Sequence, residues 1–112
     1  MLFYKSHLST IMKPTTLLTA ERVPFNLDGR KMYTGDKVEL IHISLKPDEE
    51  IALHANPFDV IFYILEGEGT VSCDGESLTV EADSCLFIEK DKQRGMKNTS
   101  SGIFRMLVLK VF

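Results

Sequence analysis

From residue 38 onward the sequence is a succession of short runs rich in Val, Ile, Leu and Phe, each closed by a turn signal. That rhythm is how a sheet sandwich or barrel reads, and it constrains the fold more than any other feature. The runs fall at 38–45, 60–65, 70–73, 77–80, 84–88, 96–98 and 103–111. Between them lie Lys46-Pro47-Asp48-Glu49-Glu50, Glu66-Gly67-Glu68-Gly69, Lys90-Asp91-Lys92 and Ser100-Ser101-Gly102. Asp74-Gly75 is the strongest hairpin signal, because a two-residue hairpin turn needs positive φ at both central positions. No stretch after residue 38 repeats apolar residues at helical spacing over three turns. The expectation is an all-β protein with little or no helix, built as two sheets closing on one core.

At 112 residues there is room for a single domain. Residues 21–112 are expected to form it, and residues 1–20 to be a lead-in that is partly disordered. Met12 offers an alternative start that would leave residues 1–11 as a dispensable extension. Thr15 to Glu21 reads as short extended or helical chain, Pro24 to Leu27 as a strand, and Asp28-Gly29-Arg30 as a turn into 31–34.

The net charge of -3 repels a phosphate backbone, which argues against nucleic acid. No apolar run approaches the ~20 residues that span a bilayer. Lys5, Ser6 and His7 interrupt the start before a signal-peptide apolar region forms, so a cytoplasmic location is expected. Cys73 and Cys85, the two cysteines, are expected as reduced, buried thiols.

Pro47, His54-x-Asn56 and the strand 60–65 ending in Glu66-Gly67-Glu68-Gly69 resemble the first motif of the cupin superfamily, in which a His-x-His pair and a glutamate project inside a barrel. Residues 83–98, DSCLFIEKDKQRGMKN, resemble its second motif. The resemblance implies a cupin-type jelly-roll barrel, a double-stranded β-helix, with frequent homodimers and a small-molecule site inside. The metal positions have diverged. The first histidine falls on His54 and the second on Asn56, the glutamate falls on Val60 beside Asp59, and the last histidine falls on Arg94. The Pro-x-Gly turn falls on Glu89 to Asp91.

Period-two alternation puts Asn56 with His54, and Val60, Phe62 and Ile64 on the same face, with Arg94 and Met96 on the returning strand. Neither valine nor a cationic arginine ligates a divalent metal. No cofactor is therefore expected, and a residual metal site would have to join His54 to Asp59 or His42. Arg94 favours an anion, since its planar fork donates paired hydrogen bonds to a carboxylate or phosphate. The alternatives for Arg94 are an ion pair with Asp59 or Glu89, or plain exposure. His42 joins His54 only if Leu40, His42 and Ser44 form the inner face of their strand, and is otherwise an ordinary strand residue. Tyr63 points outward with Ile61 and Leu65, a strip that the N-terminal strands or a second subunit would cover, and a homodimer is expected.

Four functions follow, in order of preference. The first is a metal-free barrel that binds a small carboxylate, phosphate or sugar-like ligand through His54, Asn56, Arg94, His42, Phe62 and Met96. The second is a metal-free isomerase or epimerase with His54 as catalytic base. A metal-dependent enzyme and a barrel filled by Phe62, Met96 and Phe104 come third and fourth. The residues leave open whether the chain is a catalyst.

Overall fold

The structure, a computed structural model, describes residues 11–112. The expectation about residues 1–11 therefore concerns, apart from Ile11, residues outside those described. Ten strands follow in order: β1 (Glu21–Arg22), β2 (Asp28–Thr34), β3 (Val38–Leu45), β4 (Glu50–His54), β5 (Asp59–Glu66), β6 (Glu68–Cys73), β7 (Glu76–Glu81), β8 (Cys85–Ile88), β9 (Arg94–Lys97) and β10 (Phe104–Val111). There is no helix among the described residues. All pairings are antiparallel, in a six-stranded sheet ordered β1-β2-β3-β10-β5-β8 and a four-stranded sheet ordered β4-β9-β6-β7.

The alternating runs become strands because each has an apolar face to bury. On β3 the inner residues are Ile41, Ile43 and Leu45; on β5 they are Val60, Phe62 and Ile64; on β10 they are Phe104, Met106 and Val108. Val71, Val80 and Met96 close the core from the smaller sheet. At the expected hairpin, Asp74 and Gly75 have φ of 48° and 85°, the paired positive values that such a turn requires.

The chain departs from expectation at four places. Pro24 to Leu27 is a bent loop, not a strand, in keeping with a proline that lacks the amide donor a ladder needs. Asp28, Gly29 and Arg30 are no turn: they pair with Ser44, Ile43 and His42 and so begin β2. Glu50–His54 is a strand that apolar rhythm did not reveal. The reason is a bulge. Ile51 faces Met96 and His54 faces Arg94, so Ala52 and Leu53 together oppose Gly95 alone. A Cβ on Gly95 would lie 2.7 Å from the Ile51 carbonyl oxygen, so a bare backbone is what lets β4 press against β9 here. The cysteines are free, but Cys73 is half-buried and Cys85 exposed on an edge strand.

Asn98 locks the ends of several strands together. Fully buried, it donates from Nδ2 to the carbonyls of Leu45 (2.9 Å) and Gly102 (2.8 Å), and its Oδ1 accepts from the amide and hydroxyl of Ser100. Its backbone bonds Asp48 and Glu49 in the β3–β4 turn. Asn98→Leu keeps the branched outline but strands these buried partners, so it is expected to lower unfolding stability by about 2–4 kcal/mol in urea titration.

Candidate functional site

Inside the barrel lies a cavity of about 480 Å³ between the two sheets. Its walls come from the inner faces of β3 (Ile41, Ile43), β5 (Phe62) and β10 (Val108), from Ile51 on β4 and from Met96 on β9. The Val23–Leu27 segment and the exposed residues Glu50, Leu53 and His54 border it where it meets solvent. Val60, Ile64 and Phe104 are buried in the core and do not border the cavity. Phe62, Met96 and Phe104 therefore leave the barrel unfilled.

The β4 bulge determines which polar groups enter. A regular strand would put residues 51 and 54 on opposite faces; the extra residue brings Ile51 and His54 both to the cavity, with His54 directly across the ladder from Arg94. His54 Nδ1 lies 2.9 Å from the Ala52 carbonyl and donates to it, which leaves Nε2 as the ring's acceptor. Asn56 follows in the loop after β4, and its backbone carbonyl accepts from the Asp91 amide at 2.8 Å. With the carboxamide turned so that oxygen faces the guanidinium, Asn56 Oδ1 accepts from Arg94 Nη2 at 2.7 Å. The opposite orientation would set donor against donor.

Arg94 is the unusual group. It is only 4% exposed, and its Nε and Nη1 are buried without a hydrogen-bond partner. No carboxylate pairs with it among the described residues. Asp59, one candidate, instead accepts from the Lys90 amide at 2.8 Å and anchors the loop before β9. Burial pushes the Arg94 pKa below its ordinary value, partly offset by Cys73 on the neighbouring strand. The guanidinium nevertheless stays charged. Lys110, the other cation on the cavity wall, is engaged by Glu39 at 3.2 Å. A second hollow, of about 510 Å³, is bordered by Cys73, Asp74, Glu76 and Lys92, and there the lysine is paired with Asp74 at 3.3 Å.

His54, Asn56, Arg94, Phe62 and Met96 thus share one cavity. His42 does not. It lies on the opposite face of β3 from Ile41 and Ile43, 6% exposed, where Arg105 Nη1 donates to its Nε2 at 3.4 Å. Neither His42 nor Asp59 converges on His54, and no cluster of three or more His, Cys, Asp or Glu is placed to hold a metal among the described residues. At the motif positions stand an amide, an isopropyl group and a guanidinium, a donor set that does not fit a divalent ion. Reading the sequence did not identify Ile51, Ile41, Ile43 or Val108 as lining residues. For β3 and β10 the signal was present in the alternation; for Ile51 the bulge concealed it.

The family model described as Cupin domain matches residues 41–110. Among curated proteins, the tetracenomycin polyketide synthase protein TcmJ of Streptomyces glaucescens is 34% identical over 58 residues. That match covers 51% of this chain and 39% of TcmJ, so it spans about two fifths of the relative's length. Among solved structures, the polyketide cyclase RemF of Streptomyces resistomycificus superposes with a TM-score of 0.78 at 18% identity, over 90% of this chain and 80% of that one. An RmlC-like protein with a double-stranded β-helix fold from Methanocaldococcus jannaschii gives a TM-score of 0.71 at 22% identity, over 81% and 84%.

Two outcomes are expected. Replacing Arg94 by methionine removes an unpaired buried charge while keeping most of its volume, so Arg94→Met should raise the melting temperature by a few degrees, on the order of 1 kcal/mol. An Arg94 that served stability would give the reverse. For His42, burial first and then Arg105 hold the imidazole pKa below its ordinary value. The unfolded chain therefore protonates first as pH falls, and this residue's contribution is lost below about pH 6.5. Thermal melts at pH 7.5 and 5.0 should show a smaller acid-induced drop for His42→Gln than for wild type.

Proposed function

The chain belongs to the cupin family, and from that premise we propose that it is a metal-free barrel that binds a small anionic ligand on Arg94, with Asn56 and His54 beside it. The observation that carries this reading is a buried guanidinium that borders the cavity with no carboxylate paired to it among the described residues. An unpaired buried charge is costly, and a protein that retains one beside an open cavity has a place for its counter-ion. Asn56 already uses its oxygen to orient Arg94, and His54 presents Nε2 from across the ladder.

His54 also favours a second reading. An imidazole whose Nδ1–H is held by a backbone carbonyl has its other nitrogen set as a proton acceptor. Opposite a cation that fixes an anionic group, it fits a base that removes a carbon-bound proton, as an isomerase or epimerase requires. RemF shares the barrel at an identity that carries the fold and not its reaction.

A melting-temperature screen of carboxylates, phosphates and sugar acids tests the first reading. At least one anion is expected to raise the melting temperature, by an amount that grows with concentration. Arg94→Met should abolish the rise despite its own higher baseline. A screen in which no anion stabilises the wild type removes the reading. Incorporation of solvent deuterium into a stabilising ligand, lost in His54→Gln, would move the assignment from binder to catalyst.

A further inference from the structure

Three kinds of anion fit a lone arginine: a phosphate, a sugar acid and a carboxylate on an apolar body. The remainder of the cavity wall separates them. Apart from Arg94, the side chains lining its depth are aliphatic or aromatic, with Ile41, Ile43, Ile51, Phe62, Met96 and Val108 surrounding the space. The other polar side chains are already committed or stand at the rim. Lys110 is paired with Glu39 and sits 5.5 Å over the Phe58 ring, and Glu50 is exposed.

We infer, building on the anion-binding reading, that the ligand is an amphipathic monocarboxylic acid: one carboxylate on Arg94 and an apolar body against the Ile41–Ile43–Phe62–Val108 wall. A sugar acid would set its hydroxyls against isoleucine and valine with nothing to receive them. A phosphate dianion would carry more charge than one guanidinium balances, with the Glu50 carboxylate also bordering the cavity. A hydrocarbon body gains from the same surface by leaving water. The volume is also suitable: 480 Å³ equals about 16 waters at ~30 Å³ each, which suits a body of roughly ten to fifteen heavy atoms. Because Nε and Nη1 are shielded from solvent, the acid engages the guanidinium through Nη2, which carries a second N–H besides the one given to Asn56.

The test is calorimetric titration of the full chain with 2-naphthoate, 4-phenylbutyrate and decanoate, each beside its neutral amide, and with inorganic phosphate and glucose 6-phosphate. At least one apolar acid is expected to bind at least tenfold more tightly than its amide, and both phosphates to bind more weakly than that acid. Arg94→Met should reduce the acid to the affinity of the amide and leave the amide unchanged. Ile51→Glu, which places a second carboxylate on the apolar wall, should weaken acid and amide together. If a phosphate binds through Arg94 and no apolar acid does, this inference is overturned while the anion-binding reading stands. If no anion binds, or if acid and amide bind alike with and without Arg94, both are overturned.

Discussion

Everything in this barrel hangs on β10. It is paired along its whole length with β3 on one edge and nearly its whole length with β5 on the other, while Phe104, Met106 and Val108 supply the middle of the core. A strand held on both edges cannot slip by one residue without turning its buried face to water. The alternation in β3 and β5 is therefore fixed relative to β10, and with it the choice of which side chains see the cavity. Asn98 ties the end of this three-strand unit to the β3–β4 turn.

Most of this was legible in the residues because burial on one face writes itself as period two. The eight residues from Val38 to Leu45 and the run ending at Val111 announce themselves by that alternation, and Asp74-Gly75 by turn chemistry. Two places were silent for physical reasons. The bulge in β4 breaks the alternation that would have marked a strand, and β2 begins on Asp28-Gly29-Arg30, residues whose local preference is for turns. There the ladder to β3 prevails over local propensity.

The site was legible as a set of residues but not as an arrangement. Motif spacing places His54, Asn56 and Arg94 together because the strands carrying them are neighbours in the barrel. No spacing rule says which face of β3 is inner, and so His42 stayed ambiguous until the packing of Ile41 and Ile43 excluded it from the cavity. That no carboxylate meets the guanidinium was likewise invisible, since it depends on where Asp59 turns: that carboxylate holds the Lys90 amide of a loop instead.

The bulge opposite Gly95 separates two jobs that a regular sheet would force into one. Residues of β9 and β6 must keep strict register to hold the core, whereas β4 is an outer strand with pairing on one edge only. Adding or removing a residue at Ala52-Leu53 would swing His54 and the loop bearing Asn56 to a new bearing over Arg94 and leave the ladder beneath intact. In a barrel of this type the cavity's chemical preference can drift along a single edge while the scaffold stays as it is.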